Sequence, residues 1–160
     1  MKTTALFTLV LVPAFALAQT ASTPGAGAEH KMVKASETQW GEGPAFLPKG
    51  VQAAVLYGDP SKAGPFAIRL KAPAGGKIPR HWHPTDEQVT IIEGDLHLSM
   101  GEAASAHDAD FAPGDYVNLP AKMQHEASTK GGMVVQVNAM GPFEITYVDP
   151  KDDPRKAAAK

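Results

Sequence analysis

Short apolar runs separated by glycine and proline turns limit the fold of this 160-residue chain more than any other feature. Each run has the length of a β-strand, and no window beyond residue 18 carries a 3.6-residue apolar period over three turns. Many short strands at this spacing are typical of an all-β sandwich or barrel, and a chain of this length predicts a single domain. The predicted strands are Val51–Tyr57, Phe66–Lys71, Gln88–Ile92, Leu96–Met100, Tyr116–Leu119, Met133–Met140 and Phe143–Val148.

The first eighteen residues have the pattern of an export signal. Lys2 provides a positive start, residues 5–17 form an apolar run, and Ala16-Leu17-Ala18 matches the small-x-small pattern that signal peptidase cleaves. The run is shorter than the roughly 20 residues that a membrane-spanning helix needs, which disfavours the alternative of an uncleaved anchor. We therefore expect a signal peptide over residues 1–18, cleaved after Ala18, and a periplasmic or secreted protein.

The remaining chain divides into a leader, a domain and a tail. Residues 19–35 are rich in small and polar residues and predict a flexible leader, the domain is expected over residues 36–148, and the charged residues 149–160 predict a solvated tail. The formal net charge of -2 and the lack of a basic stripe argue against nucleic acid as a partner. The chain has no cysteine, which excludes thiolate metal sites, cysteine nucleophiles and disulfides.

The His81-Trp82-His83 triplet is the most informative segment for function. Residues i and i+2 of a strand project to the same face, so the two imidazoles are expected side by side. Residues 84–86 then turn the chain, and Glu87 can return over the imidazoles. His125 follows a second turn and can supply a fourth ligand from a neighbouring strand. Imidazole and carboxylate ligands suit first-row divalent metals, although a single histidine in such a context is more often a loop or partly buried side chain.

These residues resemble the cupin superfamily. Its first motif, G-x5-H-x-H-x3or4-E-x6-G, is filled at every position by residues that include Gly75 and Gly94 as well as the two histidines and the glutamate. Its second motif, G-x5-P-x-G-x2-H-x3-N, is matched at three positions, Gly114, Pro120 and His125. The chain departs from this motif with Lys122 in place of glycine and Thr129 in place of asparagine, which puts the tight turn and its strand-end contact in question.

The resemblance implies a double-stranded β-helix, or jelly-roll barrel, with one metal ion inside it near one end. It implies that His81, His83, Glu87 and His125 are the ligands. Four protein ligands leave two open positions on an octahedral ion, which favours Mn or Fe(II), whereas the same set can seal a tetrahedral Zn. Ni is a further alternative. Gln88 is a second candidate for the carboxylate position, but it points to the opposite strand face.

Other residues are weaker candidates. Gln136 and Asn138 share one face of their predicted strand, and either donate hydrogen bonds to a substrate inside the barrel or form the wet side of the sheet. Met123 is the third possible pocket residue. Three aromatic residues either line a pocket or pack in the core: Phe46, Trp40 and Tyr147.

The remaining histidines are not expected to take part in the site. His97 is expected to face solvent, and His30 and His107 lie in polar loops.

The sequence therefore leaves two alternative functions. The first is a small-molecule enzyme with an open metal site, a dioxygenase-type oxidoreductase or else an isomerase or lyase, for which no catalytic acid or base beyond the ligands is assigned. The second is a non-catalytic barrel that binds a metal or ligand; a purely structural barrel does not need four polar groups in its core. The expected partner is a small organic substrate or ligand, a homodimer is left open, and no membrane span is expected after signal cleavage.

Overall fold

Buried and exposed side chains alternate along most strands of this protein. The structure is a computed structural model that describes residues 30–157, so the predicted signal peptide and residues 19–29 of the predicted leader lie outside the described residues. In the strand Gly64–Ala72, the side chains of Phe66, Ile68 and Leu70 are buried, and Arg69 and Lys71 project to the other side. One apolar face per strand requires a second layer to cover it.

The described residues form eleven strands, which pair into two antiparallel sheets. The strands are β1 (Gly41–Glu42), β2 (Gln52–Tyr57), β3 (Gly64–Ala72), β4 (Lys77–Trp82), β5 (Glu87–Gly94), β6 (Leu96–Met100), β7 (His107–Phe111), β8 (Tyr116–Leu119), β9 (His125–Ser128), β10 (Met133–Gly141) and β11 (Thr146–Tyr147).

The first sheet has the order β1-β2-β3-β10-β5-β8, and the second has the order β11-β4-β9-β6-β7. Buried side chains from both sheets form one core cluster, with Phe66, Val137 and Ile91 from the first sheet and Leu98 from the second. The chain passes repeatedly between the sheets, as a jelly roll does. The prediction of an all-β jelly roll in a single domain is confirmed.

Six of the predicted strands lie within two residues of observed ones, and the seventh is much shorter. Phe143–Val148 was expected to be a strand, but only Thr146–Tyr147 pairs, because the segment before it forms a loop beside His83. The list of predicted strands lacked β1, β4, β7 and β9, although the strands assumed at His81-Trp82-His83 and at His125 correspond to parts of β4 and β9. These strands are short or carry many polar residues, so they lack the apolar runs on which the prediction depended.

Gly94 shows why the first motif ends in glycine. It is the last residue of β5, and its φ is +79°, a backbone conformation that residues other than glycine rarely adopt. A Cβ atom here would lie 1.9 Å from the carbonyl oxygen of Gly132, at the start of β10. The next residue, Asp95, accepts hydrogen bonds from the backbone N–H groups of Lys130 and Gly131. The glycine therefore lets two turns pack directly against each other.

The C-terminal segment is not solvated throughout, so that prediction is wrong at one position. Asp153 is buried, and its carboxylate accepts hydrogen bonds from Arg155, which also donates to the carbonyl oxygen of Ile145. A single helical turn, Pro154–Ala157, follows. Among residues 30–157, none of the helices has the length and apolar character needed to cross a membrane.

Candidate metal centre

Four polar side chains meet inside the barrel, each with only 3–7% of its surface exposed. His81 lies near the end of β4, His83 follows that strand, Glu87 begins β5 and His125 begins β9. The three histidines offer nitrogen atoms within 4.8 Å of one another. The Oε2 atom of Glu87 lies 3.2 Å from Nε2 of His125 and 3.5 Å from Nε2 of His83. The structure thus brings together all four residues that the sequence singled out.

Backbone carbonyls orient all three rings in the same way. Nδ1 of His81 lies 2.7 Å from the carbonyl oxygen of Pro79, and Nδ1 of His125 lies 3.1 Å from that of Met123. Nδ1 of His83 lies 2.7 Å from the carbonyl oxygen of Glu144. Because a carbonyl oxygen only accepts, each Nδ1 carries the hydrogen, and a neutral ring keeps its lone pair on Nε2. This pattern is what a metal-binding histidine needs.

His81 and His125 are positioned by strand pairing. They are direct partners in the register between β4 and β9, and their ring centroids are 4.2 Å apart. Each ring also bonds to a carbonyl only two residues before it. The geometry of two adjacent strands therefore holds both imidazoles.

His83 is positioned by two loops instead. It lies beyond the end of β4, and its ring stacks on Phe143, with centroids 4.2 Å apart and planes 15° apart. Its Nδ1 donates to Glu144, 61 residues away in the chain. Its carbonyl oxygen accepts a hydrogen bond of 2.8 Å from the backbone N–H of Lys122.

Lys122 occupies a position where the family motif has glycine, and it takes the conformation that glycine favours. Its φ is +64°, and within residues 30–157 it is the one non-glycine residue with a positive φ. The tight turn therefore forms despite the departure, at a strain of about 1 kcal/mol or more. The second departure, Thr129, is buried, and its Oγ1 accepts a hydrogen bond of 3.0 Å from the N–H of Gly132.

Burial dominates the protonation of the imidazoles. Burial is the largest cause, and together with the nearby His125 and His83 it lowers the pKa of His81 to about 3. Burial also lowers the pKa of His83, more than the neighbouring carboxylate of Glu87 raises it. Both rings are therefore neutral at pH 7.

Glu87 keeps its charge although it is buried. Burial opposes ionisation, but the hydrogen bond with His125 and the proximity of His83 outweigh it, so the carboxyl pKa falls to about 2. A buried carboxylate needs a positive partner. The Oε2 atom of Glu87 faces Nε2 of His125 and of His83, and a bound cation among these atoms would supply that positive charge.

The donor set fits a first-row divalent metal. Three Nε2 lone pairs and one carboxylate converge, the rings have their other nitrogens occupied, and the carboxylate lacks a lysine or arginine partner among the residues described around it. Imidazole and carboxylate are the ligands that such ions accept. The three buried histidines can hold a metal, and Glu87 is placed to complete the set.

A mostly apolar cavity of about 270 Å³ borders on this centre. It reaches His81, His83 and Glu87, and its walls come from β2, β3 and the loops around residues 44–47, 59–61 and 143–145. A second cavity of about 40 Å³, lined by core side chains, borders on His81, Glu87 and His125 from within the barrel. The larger cavity gives a small molecule direct access to the centre.

Two of the predicted pocket residues lie elsewhere. Gln136 and Asn138 are on the outer face of β10, where the amide of Gln136 donates to the side-chain oxygen of Asn138, and Val135 and Val137 face the core instead. The prediction of a pocket inside the barrel is wrong for this pair, and the wet-face alternative is the one observed, with Asn138 beside an open groove on the outer face. Met123 packs against the core and contributes its carbonyl oxygen to His125, but it does not line the cavity.

Of the remaining candidate residues, one lines the cavity and the others lie in the core or on the surface. Phe46 lines the cavity, and its carbonyl oxygen accepts a hydrogen bond from the hydroxyl of Tyr147, which is buried in the core. Trp40 lies under the ammonium group of Lys71, on the outer side of the sheet. Gln88 is exposed and does not approach the histidines.

The three remaining histidines also lie away from the centre. His30 is exposed, His97 bonds to Asp110 on the surface, and His107, expected in a loop, instead begins β7.

Sequence reasoning did not place Phe143, Glu144 or the turn at residues 59–61 at the site. Their roles depend on contacts across long stretches of chain, such as the 2.8 Å hydrogen bond from the N–H of Phe143 to the carbonyl oxygen of Pro60. No short-range pattern marks them.

Comparison with solved structures shows the same fold in several proteins. The polyketide cyclase RemF from Streptomyces resistomycificus is 16% identical, with a TM-score of 0.66 over 82% of this chain and 94% of that one. A candidate acetylacetone dioxygenase from Methylibium petroleiphilum is 23% identical, with a TM-score of 0.62 over 82% and 90% of the two chains. An RmlC-like cupin from Shewanella frigidimarina is 16% identical, with a TM-score of 0.57 over 71% and 91%.

Comparison with the curated proteins finds no match. The model of one protein family, described as the ChrR cupin-like domain, matches residues 28–144. This range covers most of the chain, all of strands β1 to β10 and all four residues of the candidate metal centre. The chain therefore belongs to the ChrR cupin-like domain family.

Proposed function

We propose that this protein is a metal-dependent cupin that holds one divalent transition metal ion, Fe(II) or Mn in preference to Zn or Ni, and acts on a small organic molecule. His81, His83, Glu87 and His125 would be its ligands. The observation that carries the proposal is the 270 Å³ cavity that borders on three of these four residues. A sealed structural site has no need of such access.

A dioxygenase-type oxidation is the activity that we favour, with isomerisation or lyase chemistry as alternatives. The bound ion would supply open coordination positions at which a substrate oxygen is polarised. The chain's own residues orient that reaction: the carbonyls of Pro79, Glu144 and Met123 fix the three rings. The apolar walls, which include Phe143 and Ile145, exclude water from the substrate.

Proton transfer is restricted to few groups. Among the described residues that line the cavity, the titratable side chains are Asp59 near the opening and the proposed ligands themselves. Glu87 is ionised and its pKa is about 2, so it is a weak proton acceptor at neutral pH. This arrangement favours reactions that need little acid–base assistance.

The first experiment measures metal content in protein purified from its own cells, followed by exposure of the Fe(II) or Co(II) form to nitric oxide and azide. An open site predicts a change in the absorption or EPR spectrum with each probe. Oxygen uptake is then measured with phenols and diketones. A protein that stays metal-free under every loading condition would contradict the whole proposal.

A non-catalytic ligand carrier is the second candidate, and the scarcity of acid–base groups around the cavity favours it. The spectrum distinguishes the two functions only in part, because a carrier can also have an open metal. Turnover decides: saturable ligand binding without oxygen uptake or product by mass spectrometry is the result expected of a carrier.

Export is a separate proposal, supported by the composition of residues 1–18. N-terminal sequencing of the protein from its own cells tests it, with Gln19 as the expected first residue.

A further inference from the structure

We propose that the cavity takes a single-headed substrate, a compact molecule with its oxygen donors at one end and an uncharged, apolar body. This inference rests on the proposed function, because it names the substrate class of the same site. The distribution of polar groups around the cavity carries it.

The size of the cavity sets the size of the molecule. Its volume of about 270 Å³ is below the 300–1,000 Å³ of common ligand pockets. An apolar cavity of roughly 150 Å³ already accommodates benzene. The cavity therefore suits one substituted ring or an aliphatic molecule of similar bulk.

Polar groups are concentrated where the cavity meets the metal centre. His81, His83 and Glu87 form that boundary, and they are buried. Apart from Asp59 and Ser61 at one turn, the surrounding walls are apolar, and they include Phe46, Leu47, Ile68, Leu70, Phe143 and Ile145. A molecule whose oxygens all lie at one end can direct them to the centre and bury the rest of its surface against these walls.

A second charged group has no partner in the cavity. Of the residues that the structure describes around it, none is a lysine or arginine, and the charged group away from the centre is the carboxylate of Asp59. Hydrogen bonds from Ser61 and Lys62 lower the pKa of Asp59 to about 2, so it repels anions. Lys62 is largely exposed and paired with Asp59, and it does not line the cavity.

These features exclude several classes of substrate. A dicarboxylate or a phosphate ester would bury one anionic end among apolar side chains, and a polyhydroxylated sugar acid would leave many hydroxyls without acceptors. Phenols, diketones and monocarboxylates with an apolar body meet the requirement.

The test compares two six-carbon acids, hexanoate and adipate, on the full chain loaded with Mn²⁺, an ion that keeps open coordination positions beside four protein ligands, by calorimetry. We expect hexanoate to bind at least tenfold more tightly than adipate. Equal or tighter binding of adipate would overturn the inference.

A gain-of-function variant sharpens the test. Val55 lines the cavity and is 57% exposed, so it tolerates a longer side chain. Val55→Lys should raise the affinity for adipate about threefold, the effect of one solvent-exposed ion pair, whereas the uncharged Val55→Met should not. The same rise with methionine would contradict the role of charge.

The metal-free protein separates this inference from the proposed function. It is titrated with 4-methylphenol, and binding should be lost in Ala53→Phe, which fills the cavity, but kept in Ala67→Phe, on the outer face of β3. If the protein binds 4-methylphenol selectively in the cavity but cannot be loaded with metal, the proposed function is wrong and the inference stands. Metal loading without binding of hexanoate or 4-methylphenol would sink the inference alone.

Discussion

His81 and His125 are held by the strands that carry them, whereas His83 is held by two loops from distant parts of the chain. The first pair faces each other in strand register, and each ring bonds to a carbonyl two residues away. His83 depends on Glu144, on the ring of Phe143 and on the turn at Lys122. The comparison teaches that one cluster of candidate ligands can combine a rigid half, fixed by the sheet, with a half that follows its loops.

Removal of any one imidazole is the largest expected effect. His81→Ala and His83→Ala should each lower the metal affinity by more than about 100-fold. Loss of a group that only orients a ligand already lowers the affinity by about 10–100-fold, and loss of the ligand itself lowers it more. At metal concentrations near 100 times the wild-type Kd, the ion contributes about 2.7 kcal/mol of stability that the variants lack. Elemental analysis and thermal unfolding measure both effects, with the surface variant His97→Ala as the control. An unchanged melting temperature in His83→Ala would contradict the proposed ligand set.

The stability of the metal-free protein should fall as the pH is lowered. Burial lowers the pKa of His81 from 6.5 to about 3 and also lowers that of His83, so below pH 6.5 the unfolded chain binds protons that the folded chain does not. Stability is therefore complete above pH 6.5 and declines toward pH 3, by up to about 1.4 kcal/mol per pH unit for each ring.

Urea unfolding between pH 7.5 and 4 in the presence of a chelator measures this decline. His81→Gln and His83→Gln should each remove one ring's contribution to the slope. A slope that neither substitution changes would show that other groups govern the acid sensitivity.

Loss of the Phe143 ring should weaken only the half of the centre that depends on loops. Phe143→Leu removes the stacking on His83. It should lower the metal affinity about tenfold, which is the size of effect expected when a group that orients a ligand is lost. Phe143→Tyr should restore it. Metal competition assays and the visible spectrum of the Co(II) form are the readouts.

Phe111→Leu is the matched control for this loss, since Phe111 packs against the core but does not line the cavity. It should lower the melting temperature without changing the metal affinity. Equal affinity losses in the two leucine variants would remove the distinction between the halves.

Relief of strain at Lys122 is the smallest expected effect. Lys122→Gly should stabilise the protein by about 0.5–1 kcal/mol, because glycine adopts a φ of +64° without cost to its side chain. Lys49→Gly, at an exposed residue without a positive φ, should instead be destabilising by a similar amount. Chemical denaturation of both variants measures the difference in sign.

The sequence predicted the fold class and the convergence of four side chains because both depend on short-range patterns. Alternation of apolar residues marks β3, β5 and β10. The sequence spacing of the histidines and Glu87 predicted that they would meet, and in the structure they do. Strands such as β9, with the sequence HEAS, have too few apolar residues to be recognised. Alternation in β10 separated Gln136 and Asn138 from the valines but did not tell which face is inward.

Long-range contacts were beyond prediction. The triplet suggested that His81 and His83 share one strand, but β4 ends at Trp82, and the second ring is oriented from a loop 61 residues later. The walls of the cavity likewise combine residues near positions 46, 60 and 143. Such pairings depend on the closed fold and leave no local pattern.

The attachment of His83 to loops has a consequence for how the family diversifies. Loops accept substitutions and insertions more readily than strands do, so changes around residues 120–123 and 141–145 can shift one of the candidate ligand rings while the barrel keeps its stability. Evolution therefore has a route to new metal preferences, or to relatives that have lost the metal, without redesigning the sheets.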